Sequence, residues 1–260
     1  MGRDDAPQDR LVYGAGPVGE LIKRKPGSVK HVWVDPRRAG RSTSDPIAAI
    51  VVAARNAGLH VEDRDRGALD RAAGHDANHQ GVIAFVGEFQ YAELETLVSE
   101  APALILALDG VEDPRNLGAI LRSAYLLGAG GVIIPEHRAA PVTAMVSKAS
   151  AGASELIPIA MVGNLVRALD ELRDLGLWRV AVHDSPQSQS IETIDGTLQL
   201  CLVLGAEGTG VRPLVAKSCD FHASIPMARE AVGSFNVSVA ASLALYEIRR
   251  QRTVVSSPRG

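Results

Sequence analysis

The sequence predicts an α/β protein with largely parallel sheets. Two observations carry that reading. Short apolar runs of strand length recur along the chain, and segments of helical period separate several of them. The strand-like runs are 29–34, 81–86, 103–108, 131–134, 178–182, 199–204 and 221–225. Residues 44–58 form the first long helical pattern, with Pro46 placed for the opening turn and Gly58 for the stop. In 164–176, Leu165, Val166, Leu169, Leu172 and Leu175 repeat at helical spacing. A third helix covers 237–252, rich in Ala and Leu and ending in Arg249-Arg-Gln-Arg252. A helix-like stretch at 91–98 and a seam at 99–102 divide the chain into a small α/β domain, 1–98, and a larger one, 99–260.

The chain has 260 residues, 46% hydrophobic and 22% charged, the composition of a soluble globular protein of one large or two ordinary domains. No apolar run approaches the ~20 residues that cross a bilayer. The first ten residues are charged and lack the apolar core of a signal peptide. Cys201 and Cys219 make neither a disulfide framework nor a zinc set, which fits a cytoplasmic protein, and none of the seven histidines falls in a metal-ligand pattern. A net charge of −3 argues against a general nucleic-acid coat. Yet 23–41 holds Lys23, Arg24, Lys25, Lys30, Arg37, Arg38 and Arg41 against the single acid Asp35, a footprint suited to phosphates.

Gly14-Ala-Gly-Pro-Val-Gly19 matches the glycine pattern of dinucleotide-binding folds, with Asp35 where a ribose-binding acid belongs. The flanks argue against a nicotinamide-dependent oxidoreductase. Only Leu11-Val12-Tyr13 precedes the glycines, too short for a buried parallel strand, and Pro26 stops the helix that follows. A glycine turn entering a short helix is the better reading.

Three blocks carry the chemistry. Leu108-Asp-Gly-Val-Glu-Asp-Pro-Arg-Asn-Leu-Gly-Ala-Ile-Leu-Arg122 turns from strand to helix at Pro114, with Asn116 and Arg122 too far apart to need the same face. Packed among Ile120, Leu121 and Ala124, Arg122 is expected to be partly buried and to need an anionic partner such as Glu207. Leu204-Gly-Ala-Glu-Gly-Thr-Gly210 is a glycine-rich loop directly after a strand. It lacks the Lys-Ser/Thr ending of a phosphate loop, and Glu207 repels phosphate. Free amides beside one carboxylate suit a cationic ligand bearing an amino acid, and glycine at 205 lets those amides approach it. Ile225-Pro-Met227 ends a strand, and Ser234-Phe-Asn-Val-Ser238 opens a helix that Ser234 or Asn236 can cap.

In that order, the blocks resemble the motifs of the SpoU (TrmH) branch of the SPOUT methyltransferases, which methylate RNA ribose 2'-oxygens. Tyr13-Gly-Ala-Gly-Pro-Val18 and His79-Gln-Gly-Val-Ile-Ala84 resemble the substrate-binding domain that precedes the catalytic domain in ribosomal RNA ribose methyltransferases. The resemblance extends over 11–252 and is nearest to the two-domain enzymes acting on a guanosine of large-subunit rRNA. It implies a small RNA-binding domain like a ribosomal protein, a SPOUT domain with a parallel sheet and a deep trefoil knot, and a homodimer that shares its active sites. S-adenosylmethionine is the implied cofactor, and ribosomal RNA the implied partner. Arg122, Asn116, Glu207, Ser234 and Asn236 fall at the catalytic positions, and Val182, Leu204, Gly205, Ile225, Met227 and Phe235 at the cofactor positions. Lys23, Arg24, Arg37, Arg38 and Arg41 are the expected RNA contacts. Phe235 stands where the family commonly has Leu, and 228–233 is longer than in close relatives. Transfer RNA methylation, antibiotic resistance by rRNA methylation and a non-catalytic RNA-binding role are the alternatives.

Overall fold

The computed structural model describes residues 10–38, 45–75, 77–99, 101–229 and 233–256, with only the backbone of 255 and 256. They form two compact units, 1–90 with 142–156, and 91–141 with 157–260. Among the described residues no helix is long and apolar enough to cross a membrane.

The first unit runs β1 (Arg10–Tyr13), α1 (Ala15–Arg24), β2 (Val29–Val34), α2 (Pro46–Asn56), β3 (His60–Asp63), α3 (Arg66–Ala73) and β4 (Val82–Val86). Its sheet has the order β1-β4-β2-β3, with β4 antiparallel to both neighbours and only β2 and β3 parallel. That topology removes the dinucleotide-binding reading. β1 lies at the edge against antiparallel β4, whereas a dinucleotide fold needs the strand, helix and next strand in one parallel unit. The Gly14 turn (φ +93) instead leads into a ten-residue helix, whose first amide, Ala15 N–H, donates to the Gln80 side chain at 2.7 Å. α2 opens as expected. Asp45 accepts from Ile47 N–H, Pro46 sits in the first turn, and Gly58 (φ +72) follows the C-terminus.

The second unit supplies β5 (Leu104–Asp109), α4 (Pro114–Leu126) and β6 (Gly131–Pro135); the chain then passes through α5 (Ala144–Ala149), which belongs to the first unit. It resumes with β7 (Ile159–Val162), α6 (Leu165–Asp174), β8 (Trp178–Val182), β9 (Gln189–Ser190), β10 (Leu200–Gly205), α7 (Pro213–Lys217), β11 (Phe221–Ser224) and α8 (Val237–Ser256). Seven strands pair in the order β7-β6-β5-β10-β8-β11-β9, every pair parallel. β5 and β10, buried at all but one position, are the apolar runs that a two-sided parallel sheet requires. α8 packs on α4. Near its end the Arg252 guanidinium donates to the carbonyls of Pro102, Ala103, Gly196 and Leu198.

A single division at residue 98 does not describe these units. The stretch 91–98 is a 3-10 turn at Leu94–Val98 rather than an α-helix, and Leu94 and Leu97 are buried in the core of the larger unit. The segment 142–156 packs in the first unit: Ser147 Oγ donates to the Leu11 carbonyl at 2.7 Å, and Arg10 pairs with buried Glu155.

Candidate active site

Strands β8, β10 and β11 end together, and a cavity of about 310 Å³ opens beyond them, where open parallel sheets bind ligands. The turn after β8 contributes His183 and Asp184, the loop after β10 contributes Ala206 to Val211, and the stretch into α8 contributes Ser234 and Phe235. All six positions expected to hold the cofactor, Val182, Leu204, Gly205, Ile225, Met227 and Phe235, line this one cavity, as do Glu207 and Ser234.

The glycine loop owes its shape to its own backbone. Gly210 N–H donates to the Ala206 carbonyl at 2.9 Å, and the two residues form an isolated antiparallel bridge. A Cβ at Gly205 would fall inside the Gly210 carbonyl group and the Val211 nitrogen. Gly205 is therefore demanded by the fold of the loop, whatever the ligand requires. Gly208 (φ +81) and Gly210 (φ +66) occupy left-handed backbone.

Asn236 ties the separate blocks together. Its Oδ1 accepts from Ser238 N–H at 2.9 Å and from Ser238 Oγ at 2.7 Å, capping α8. Its Nδ2 donates to Asn116 Oδ1 and to Glu207 Oε2, each at 3.2 Å. One side chain thus joins the start of α4, the glycine loop and the start of α8. Of the two expected caps, Asn236 is the one used. Ser234 is exposed at the cavity.

Arg122 departs from expectation. It is exposed on α4, and among the described residues it has no ion pair or hydrogen bond, with Glu207 or any other acid. The apolar neighbours Ile120, Leu121 and Ala124 point into the core, and Arg122 lies on the opposite side of the helix. It does not line the cavity.

Two arrangements went unread in the sequence. Asp109, at the end of β5, has a fully buried side chain; it accepts from Arg212 N–H at 2.8 Å and from the Arg212 guanidinium at 2.6 Å. The signal was present: a carboxylate closing a buried apolar strand needs a cation, and Arg212 follows the glycine loop. This pair fastens the loop to the neighbouring strand. Arg212→Ala would leave the buried carboxylate with only a backbone amide, and should destabilise the protein by on the order of 3 kcal/mol in urea unfolding. Asp109→Asn with Arg212 intact should cost less. The second arrangement is His183 Nε2 within 2.8 Å of His222 Nδ1. Burial, then the adjacent His222, holds His183 below the usual histidine range, so the cavity wall is neutral there at neutral pH.

The expected RNA contacts do not form one patch. Lys23 and Arg24 are exposed on the last turn of α1, with Arg24 paired to Glu20; Arg37 and Arg38 are exposed in the turn after β2. The whole of β2 separates the two pairs, about 20 Å of chain. Arg41 lies outside the described residues.

Residues 103–246 match the SpoU rRNA Methylase family model, and 11–92 match the model for RNA 2'-O ribose methyltransferase substrate binding. The chain is 41% identical over 248 residues to the 23S rRNA (guanosine-2'-O-)-methyltransferase RlmB of Pseudomonas putida, covering 94% of this chain and 97% of that one. Against RlmB of Pseudomonas aeruginosa the identity is 42%, covering 93% and 96%. Among solved structures, the SpoU methyltransferase AviRb from Streptomyces viridochromogenes in complex with AdoMet superposes with a TM-score of 0.73 at 26% identity, covering 95% of this chain and 92% of that one. An AdoMet-bound rRNA methyltransferase from Sinorhizobium meliloti gives 0.74 at 26% identity, covering 94% and 87%. On the extent of the family match and of these identities, the chain belongs to the SpoU rRNA methylase family and is an S-adenosylmethionine-dependent RNA methyltransferase.

Proposed function

We propose that the chain transfers the methyl group of S-adenosylmethionine to the ribose 2'-hydroxyl of a guanosine in large-subunit ribosomal RNA, acting in the cytoplasm. The carrying observation is the cavity beyond β8, β10 and β11, with Asn236 joining Asn116 and Glu207 beside it. The choice of guanosine rests on the relatives named for that activity.

The cavity suits the cofactor chemically. Leu204, Ile225, Met227 and Phe235 offer an apolar wall for a purine, and Asp184 and Glu207 offer carboxylates to a cationic ligand. When bound, S-adenosylmethionine supplies a methyl group already activated by its sulfonium, so the protein's work is positioning and charge management. In this reading Gly205 and its loop hold the cofactor backbone-first, while Asn116, Glu207, Ser234 and Asn236 shape the place where the ribose enters. Arg122 stays protonated, as guanidinium does in proteins, and so binds the developing alkoxide and the adjoining phosphate rather than taking the proton. Water or phosphate receives it.

A homodimer completes the proposal. Arg122 lies exposed away from the cavity of its own chain, and α8 exposes Val239, Leu243 and Tyr246 at helical spacing, with Leu126 exposed on α4. A second copy covering these helices would bury that stripe and bring Arg122 to its partner's cofactor. The trefoil knot belongs to the same proposal, supported by family membership and by β10, β11 and α8 closing around one cavity.

The deciding experiment maps ribose methylation on rRNA from a strain lacking the gene, with and without the restored protein. Loss and recovery at one guanosine is the expected result; an unchanged map would sink the assignment. Purified protein should bind S-adenosylmethionine in the presence of chelator and ignore NADH. For RNA affinity, Arg37→Ala with Arg38→Ala should reduce the slope of log affinity against log salt by about two, one phosphate contact each. An unchanged slope would remove these residues from the RNA footprint. Charge removal is the cleaner test than deleting 1–98, because 142–156 packs in the first unit.

A further inference from the structure

The sheet of the first unit has two unlike faces. Val12, Val32 and Ala84 are fully buried on the side of α1 and α2. The other side carries cross-strand rows, with Phe85, His31 and His60 in one and Ile83, Trp33 and Glu62 in the next. Only part of it is covered. Leu69 and Ala73 of α3 pack on Ile83, with Phe85 at the margin, while His31 and Trp33 stand outside that cluster and are half-buried.

Of the ring pairs there, one is stacked and the other two are tilted. His31 stacks on Phe85 with centroids 4.2 Å apart and planes at 17°, and Trp33 meets Phe85 at 4.6 Å. The Arg64 guanidinium lies over the Trp33 ring at 5.0 Å, tethered to Glu62 at 2.5 Å. A planar cation already lies over the indole face, so that face accepts a flat partner and is freed for another when Arg64 moves. Among the described residues, the large apolar side chains this unit exposes, Val52 and Met145, sit on α2 and α5, not on this surface. It therefore offers rings rather than the aliphatic anchors of a protein interface, with the Trp33 indole N–H buried and without a hydrogen-bond partner among the described residues.

We propose that His31, Trp33 and Phe85 form a stacking platform for unpaired nucleobases of the substrate RNA, with Arg64 either displaced from Trp33 or closing over the stacked base. Every base has a π-face, so a ring platform of this kind grips single strands with little regard to sequence, and Arg planes stack on bases in the same way. It lies wholly within the segment matching the substrate-binding model. The proposal rests on the reading of the chain as an RNA methyltransferase, and adds that the substrate is seized through an unpaired stretch.

The test uses the chain's own fluorescence. Trp33 and Trp178 are its only tryptophans, so in a Trp178→Phe background Trp33 is the sole indole emitter. Titration with a short unstructured oligoribonucleotide should quench Trp33 saturably, and a duplex of the same length should not. Phe85→Leu and His31→Ala should each weaken single-strand binding about tenfold, while Trp33→Phe, which keeps a ring, should not. Cofactor affinity and thermal melting, read on the same variants, report whether the protein is folded. Should the substitutions unfold it, the quenching of the unaltered platform still decides. Absence of quenching with RNA that the protein demonstrably binds overturns the platform and leaves the methyltransferase reading standing. Failure to bind or methylate any rRNA takes both down. Quenching that follows protein concentration without RNA would make this a protein contact and also overturn the proposal.

Discussion

Arg122→Ala is expected to cut methyl transfer by on the order of a hundredfold or more, the scale for removing one preorganised charge-stabilising group. Cofactor affinity should hold, because Arg122 does not line the cavity. Stability should hold as well, since the side chain is exposed and has no partner among the described residues. This combination is diagnostic. A structural arginine would lose melting temperature along with activity. Arg122→Lys should remain poor, because a compact ammonium cannot span two oxygens as a planar fork does. Mixing Arg122→Ala with an inactive cavity variant such as Met227→Asp should restore activity in mixed dimers if the site is shared. Full activity in Arg122→Ala alone would refute the proposed role. Failed complementation with proven subunit exchange would remove only the sharing.

Gly205→Ala should be the most damaging alanine substitution among the described glycines. The new carbon would overlap main-chain atoms of Gly210 and Val211, which cannot swing aside as a side chain does. Overpacking against movable neighbours costs about 1–3 kcal/mol, and a backbone collision should reach or exceed the top of that range. Loss of S-adenosylmethionine binding should accompany the fall in melting temperature. Gly208→Ala is the control. Its Cβ meets nothing within 4 Å, and only its positive φ of +81 opposes it, so about 1 kcal/mol is expected. Equal effects at the two positions would show that the loop rearranges freely and that the crossing at Gly205 is unimportant.

How much of this was legible in the sequence depends on the range of the interaction that decides each element. β5, β10 and their glycine loop announce themselves because burial on both faces forces a continuous apolar run, and a tight loop forces glycine. The Asn236 cap was legible because capping is local. β3, with the polar sequence His60-Val-Glu-Asp63, was not: it is an edge strand, held by pairing with β2 rather than by its own pattern. α5 has six residues, too few to display a period, and its membership in the first unit depends on a hydrogen bond 136 residues away in sequence, from Ser147 to Leu11. The run of cations over 23–41 is divided in space for a related reason. Adjacent in sequence, its members are carried to opposite ends of β2 by an extended strand. Arg122 was misjudged because apolar neighbours one and two positions away in a helix point in other directions, so they say nothing about where the arginine itself goes.

The segment 142–156 has a consequence for the order in which the molecule comes into being. A chain emerging from the ribosome offers its first sheet early, and domains generally fold as units from the N-terminal end. Here β1 to β4 are complete by residue 86, yet Ser147 and Glu155, the partners of Leu11 and Arg10, are made only after β5, α4 and β6 of the other unit have been synthesised. The first unit therefore waits for residues encoded in the middle of its neighbour. A pause in translation between residues 90 and 142 would present the quality-control machinery with a sheet whose edge carbonyl at Leu11 lacks its donor and whose cation at Arg10 lacks its carboxylate, keeping only the Gly87 carbonyl and the Phe89 ring. Cutting the gene between its two halves would leave the same defect permanently.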